Sequence, residues 1–171
     1  NPPSSFAKFC KKFFIQKSKN KKILDIGCGN GRDLIYFSKY LFSFGIDKSN
    51  TAIKILKKKH KKNKNISLKR VDLKNLNPIM LGKYDYIYMR FLLHAVDLKI
   101  QDKLLKNLKK IMKKNAIVMC EFRTDKDPLK KVGKKISRNE TYTDHYRRFI
   151  NYKDFLKTLK LCSYKVIFKT E

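Results

Sequence analysis

Tryptophan is absent from the 171-residue sequence, and proline (4), glycine (6), cysteine (4) and acidic residues (14) are few. Cys10, Cys28, Cys120 and Cys162 show no paired metal-ligand spacing, which argues against a zinc knuckle or a disulfide framework and for a reducing compartment. No metal is expected. No apolar run approaches the roughly 20 residues that a membrane-spanning helix needs. With no signal-peptide pattern visible, the expected location is cytoplasmic. There is no internal repeat and no long linker. The first residue is Asn1 rather than Met, so the sequence is read as part of a longer protein.

The shortage of acids leaves a formal charge of +29. Such a balance invites nucleic acid, because basic surfaces gain affinity by releasing phosphate counterions. Yet 36 of the cations are Lys and only 7 are Arg, and the lysines are spread along the chain among Asn and Ile. Lys is a solvated point charge, whereas Arg is the planar reader of phosphates and bases. The lysines therefore read as a general surface bias.

Hydrophobic residues make up 42%, enough for one compact domain with a single core. Helical apolar spacing marks an N-terminal helix over 5–16. Strands are expected at Ile23–Ile26, Leu41–Ile46, Ile66–Val71, Tyr84–Met89, Ala116–Phe122 and Tyr164–Phe168. Helices are expected at Arg32–Tyr40, Asn50–His60 (capped by Ser49), Gln101–Met112 and Tyr152–Leu161. Strands alternating with helices imply right-handed βαβ units and a mostly parallel, doubly wound α/β sheet with helices on both faces. Ligands of such sheets bind beyond the strands' carboxyl ends.

The first of those ends carries Asp25-Ile26-Gly27-Cys28-Gly29-Asn30-Gly31. A dinucleotide turn would need a small residue at the position of Arg32, which spoils that match. Acidic residues follow the next two strands: Asp47, twenty residues after Gly27, and Asp72 in Arg70-Val71-Asp72-Leu73. Ile23 to Gly31 resembles the first motif of class I S-adenosylmethionine-dependent methyltransferases, and the resemblance covers Ile23 to about Phe122. It implies a Rossmann-like methyltransferase fold with S-adenosylmethionine as cofactor. The implied cofactor residues are Asp25, Gly27, Cys28, Gly29, Asn30, Gly31, Asp47, Lys48, Asp72, Leu73 and Arg90. In the family the glycines pack on the methionyl part, the first acid holds its amino group, the second the ribose hydroxyls and the third the adenine amino group. The cofactor half is then 22–82 and the acceptor half 83–171.

The acceptor half lacks the Asn/Asp-Pro-Pro-aromatic box of nucleic-acid amino methyltransferases, and no Cys follows strand four. Arg and His collect there instead: Arg90, His94, Arg123, His145, Arg147 and Arg148, with Tyr146 among them. Paired guanidinium N–H groups suit phosphate or carboxylate. The expected substrate set is Arg90, His94, Arg123, Tyr146, Arg147 and Arg148. Arg90, His94 and His145 are the catalytic candidates, a histidine serving as base or donor. Arg90-Phe91-Leu92-Leu93-His94-Ala95, Glu121-Phe122-Arg123 and Asp144 to Phe149 are similar to bacterial methyltransferases of surface-polysaccharide (capsule or O-antigen) assembly. That similarity implies methyl transfer to an oxygen of a small or glycan-borne phosphate- or phosphoramidate-type acceptor. Two rivals stay open, an RNA methyltransferase and a non-catalytic cofactor-binding domain. The run 125–148 reads either as a lid over the acceptor or as a basic loop.

Overall fold

The computed structural model describes residues 2–14 and 20–171. The chain divides into two compact units, Asn1–Arg90 with Lys110–Glu121, and Phe91–Lys109 with Phe122–Glu171. The first holds a five-stranded sheet of order β3-β2-β1-β4-β5. Its strands are β1 (Lys22–Ile26), β2 (Phe42–Asp47), β3 (Ile66–Arg70), β4 (Tyr84–Arg90) and β5 (Met112–Glu121). Every pairing is parallel. The expected Rossmann-like architecture is therefore present. Four of the five residues of β1 and six of the seven of β4 are buried, the unbroken apolar signature of strands covered on both faces.

Helix α2 (Arg32–Phe37) carries the chain from β1 to β2, and α3 (Asn50–Lys59) carries it from β2 to β3. Ser49 caps α3 as expected, accepting the Ala52 N–H at 3.2 Å, while Ile53 and Leu56 turn inward and the lysines outward. The chain then returns past β1 to lay down β4. This reversal in strand order opens a crevice at the carboxyl ends of β1 and β4. A short helix, α1 (Ser5–Cys10), and a 3-10 turn over Lys11–Phe13 join the same core. Ala7, Cys10 and Phe14 pack there with Ile23, Phe37, Tyr86 and Tyr88. The Phe37 ring meets Tyr88 edge-on, at 4.8 Å between centroids.

The second unit contains α4 (Leu98–Ile111) up to Lys109, an antiparallel meander and α5 (Tyr152–Leu161). The meander strands are β6 (Lys134–Ser137), β7 (Glu140–Tyr142) and β8 (Tyr146–Arg148). It lies within 125–148, so that run holds regular backbone pairing. Phe122 packs edge-on against Phe155 of α5 at 4.7 Å. Among the described residues no helix is long and apolar enough to cross a membrane.

Three expected elements differ. Tyr164–Phe168 forms no strand: no neighbouring strand pairs with it, and Val166, Ile167 and Phe168 are exposed. Its apolar run lacks, among the described residues, the partner that would convert it into sheet. Tyr164 is held instead by its hydroxyl, which donates to the Leu105 carbonyl at 2.7 Å. The N-terminal helix is α-helical only to Cys10, and positions 15 and 16 of its expected span lie outside the described residues. Helix α2 stops at Phe37, where the Ser38 hydroxyl bonds back to the Ile35 carbonyl at 2.8 Å.

Asp85 joins three segments of the first unit. Only 7% exposed, it accepts from Lys21 Nζ (3.0 Å), the Lys22 N–H (2.9 Å) and Lys113 Nζ (2.8 Å). Burial opposes its ionisation, but these donors outweigh it and hold its pKa below the usual carboxylate range. Its contribution is thus complete above the unfolded pKa and lost as pH falls through the folded one. Asp85→Asn should cost about 1–3 kcal/mol in urea unfolding at pH 7. The gap from wild type should shrink as the buffer is taken toward pH 3; a gap independent of pH would refute the assignment.

Candidate functional site

The Gly-rich turn is locked to the end of β2. Gly27 N–H and Cys28 N–H both donate to the Ile46 carbonyl, at 2.8 and 3.1 Å, and Gly31 N–H closes on the Cys28 carbonyl at 2.8 Å. Asp47 finishes the lock: Oδ2 accepts the Gly29 N–H at 2.9 Å and Oδ1 the Ser49 N–H at 2.8 Å. Its carboxylate is therefore fixed beside the turn and stays half-buried. Gly31 has φ +74, and a Cβ there would lie 2.6 Å from the Leu56 side chain, so only glycine allows α2 to start there. Gly29 has φ +51 and nothing within 4 Å of where a Cβ would sit. That side of the turn is open to a ligand.

Asp25, at the end of β1, is 3% exposed. Burial, then the charges of Asp33 and Asp47, push its pKa well above the normal range. A buried carboxyl flanked by two others regains its ionised form most cheaply when a cation reaches it. Cys28 is buried with its thiol pushed up by desolvation, so it packs as an apolar residue rather than reacting as a thiolate. Asn30 accepts the Arg32 N–H at 3.2 Å and begins the helix. Lys48 is exposed, and its carbonyl receives Arg70 Nε at 3.2 Å. Asp72 is exposed and accepts the Lys74 N–H at 3.0 Å, with Leu73 half-buried behind it. Arg90, the last residue of β4, is paired with Glu121 of β5 at 2.6 Å.

The remaining acceptor candidates lie in the second unit. His94 is 4% exposed, and its Nδ1 accepts the Arg123 backbone N–H at 3.2 Å, which leaves the ring proton on Nε2. Burial, then the charges of Arg123 and Arg147, push its pKa down to about 4. The Arg123 guanidinium lies 5.2 Å from the Phe91 ring centroid and bonds Asp127 at 2.6 Å. Phe91 itself has φ 54, an unfavourable backbone state for a residue with a side chain. Arg147 bonds Thr143 and pairs with Asp144 at 3.0 Å, and His145 also pairs with Asp144, in an exposed position. The Tyr146 hydroxyl donates to Glu140 at 2.5 Å. Arg148 is buried and donates to the carbonyls of Leu93 (3.0 Å) and Val96 (3.1 Å) and to Gln101 Oε1 (2.6 Å). It holds the turn that carries His94.

Sequence reasoning passed over Ser4, Asp33 and Tyr88, which form one buried network beside Asp25. It also passed over Phe91, Glu121 and Asp127 as partners of the arginines. Only the Arg123/Asp127 spacing of four residues could have signalled any of these.

A family model described as a methyltransferase domain matches residues 24–118. The match covers more than half of the chain, and the chain belongs to that family. An uncharacterised protein of Rickettsia prowazekii is 38% identical over 108 residues, 60% of this chain and 43% of that protein. A putative methyltransferase of Invertebrate iridescent virus 6 is 35% identical over 82 residues, 46% of this chain and 29% of that protein. The chain thus spans less than half the length of these curated relatives. PKMT2 from Rickettsia typhi, solved in complex with S-adenosylhomocysteine, matches with TM-score 0.57 and 32% identity, over 73% of this chain and 23% of its own. A methyltransferase from Clostridium acetobutylicum has the same fold, with TM-score 0.79 at 15% identity, over 97% of this chain and 82% of its own. The cofactor of the family is S-adenosylmethionine.

Two measurements test this geometry. Gly29→Ala should keep the fold, losing about 1–2 kcal/mol to left-handed strain. Its calorimetric affinity for S-adenosylhomocysteine should fall at least about ten-fold, because the methyl enters the open side of the turn. Unchanged affinity would place the ligand elsewhere. The depressed pKa of His94 lies below its unfolded value of about 6.5. Stability should therefore be full above pH 6.5 and decline as pH falls toward 4, with a shallower decline in His94→Gln. Equal slopes would show that His94 is not buried neutral.

Proposed function

We propose that this chain transfers a methyl group from S-adenosylmethionine to an oxygen of an anionic, phosphate-type acceptor. The observation that carries the cofactor part is Asp25, a carboxylate buried next to a turn whose open side lies at Gly29. Asp25 would hold the ammonium, Asp47 the ribose and the Asp72–Leu73 corner the adenine. The cofactor supplies an electrophilic methyl group on a sulfonium. As the acceptor oxygen bonds to the carbon, the carbon–sulfur bond breaks and its electron pair stays on sulfur.

His94 carries the acceptor part. It is neutral, its Nδ1 is occupied, and its Nε2–H sits in the positive field of Arg123 and Arg147. That arrangement donates a hydrogen bond to an anion and cannot easily act as a base. An anionic oxygen needs no base, so the two facts agree. The clamp is assigned to His94, Arg123 and Arg147, with His145 beside them, while Tyr146 is engaged by Glu140. Arg148 serves as framework, since its donors are used within the fold. A glycan-borne phosphate or phosphoramidate is one acceptor of this chemistry, in line with the surface-polysaccharide resemblance. A second reading, transfer to a protein side chain, would use the same cofactor half, the part that is similar to PKMT2 from Rickettsia typhi.

The test is transfer of labelled methyl from S-adenosylmethionine to phosphosugars, to bulk protein and to RNA, with Arg123→Ala in parallel. Label in a phosphosugar, with KM raised about ten-fold in the variant, is expected for one lost charge-assisted contact. Label in protein alone would replace the anionic reading with the second one. Salt-sensitive labelling of RNA would restore the nucleic-acid rival.

A further inference from the structure

The Gly-rich turn has a neighbour that the family motif does not use. Asp33 lies in the first turn of α2 and is 7% exposed. Its Oδ1 accepts the Ser4 N–H at 2.8 Å, and its Oδ2 accepts both the Ser4 hydroxyl at 2.8 Å and the Tyr88 hydroxyl at 2.7 Å. The Ser4 oxygen in turn accepts the Ala7 N–H at 3.0 Å and so caps α1. All three donors to Asp33 are neutral. They satisfy the carboxylate without cancelling its charge. Arg32 Nε also stands 3.5 Å from Oδ1, a looser contact than those three, with the Arg32 side chain about a third exposed. Tyr88 is also the register partner of Asp25 across β1 and β4, so Asp25 and Asp33 flank the same residue.

We propose that Asp33 is a positioning residue for the cationic end of the cofactor: Ser4 and Tyr88 clamp its carboxylate next to Asp25, where its charge adds to the attraction for a cation. This rests on the reading that Asp25 meets the cofactor's ammonium. Three carboxylates, Asp25, Asp33 and Asp47, then act together in a chain whose surface is overwhelmingly positive. The charge also works on Asp25 when no cation is present, since it helps drive that carboxyl toward its neutral form. The network gives the lead-in segment a function as well. Ser4 can keep both of its bonds to Asp33 only while α1 remains docked on the core.

Two ligands separate charge from shape. S-adenosylhomocysteine has the ammonium; 5′-methylthioadenosine has the same nucleoside and sulfur but neither ammonium nor carboxylate. In calorimetric titrations Asp33→Asn should weaken S-adenosylhomocysteine about ten-fold, a moderate buried charge interaction. It should weaken 5′-methylthioadenosine by less than about two-fold, because no charge is left for Asp33 to act on. Equal losses for the two ligands, or no loss for either, would overturn the proposal. Tyr88→Phe keeps the charge and removes one donor, so it should lower the melting temperature while leaving the ratio of the two affinities unchanged. A ratio that falls in Tyr88→Phe would show that the network acts through geometry, and that result decides the matter even if Asp33→Asn does not fold. Failure of both ligands to bind the wild-type chain would refute the cofactor reading itself, a different outcome from a normal wild type with an unchanged ratio in Asp33→Asn.

Discussion

Two backbone N–H groups of the Gly-rich turn, those of Gly27 and Cys28, converge on the single carbonyl of Ile46, and the next residue, Asp47, takes the Gly29 N–H. This seam between the ends of β1 and β2 is the constraint on which the rest of the site depends. It bends the chain sharply enough to start α2 at once, which demands positive φ at Gly27, Gly29 and Gly31. It also fixes the Asp47 carboxylate before any ligand arrives, so little ordering remains to oppose binding. Because α2 begins here, Asp33 falls beside Asp25. The electrostatics of the pocket thus follow from a backbone hydrogen-bond pattern.

Electrostatically the chain is divided against itself. Its sequence carries an excess of lysine, while the end of β1 and the start of α2 bury the carboxylates of Asp25 and Asp33. Buried carboxylates are costly unless a cation reaches them. The arginines follow the opposite logic. Arg90, Arg123 and Arg147 each have a carboxylate partner, and Arg148 is enclosed by carbonyl oxygens. A cluster that looks like free positive charge in one dimension is largely compensated in three.

The cofactor side was legible because its signals are local. Glycines at fixed spacing and acids placed directly after strands are set by backbone geometry over a few residues, so Asp25, Gly27 to Gly31 and Asp47 could be singled out in order. Strand positions were legible for the same reason, since β1 and β4 are short, mostly apolar runs. Tyr164–Phe168 shows the limit. Its apolar, β-branched composition is that of a strand, but a strand exists only when a partner satisfies its backbone, and pairing is a non-local property. Helix α2 was overextended because a side chain, Ser38, competes for the carbonyl that would continue it.

By itself the sequence determined the α/β class, the order of the elements from β1 to β5, and the turn that marks a methyltransferase. Spacing and local backbone preference are enough for these. Tertiary structure alone decided which of the candidate site residues remain available. Arg148 became framework, and His94 lost its basicity to burial and to two neighbouring guanidinium groups. Ser4, Asp33 and Tyr88, separated by 29 and 84 positions from Ser4 outward, became one network. Protonation and hydrogen-bond partnership depend on distance in space, and spacing along the chain carries that information only over the few residues of one turn.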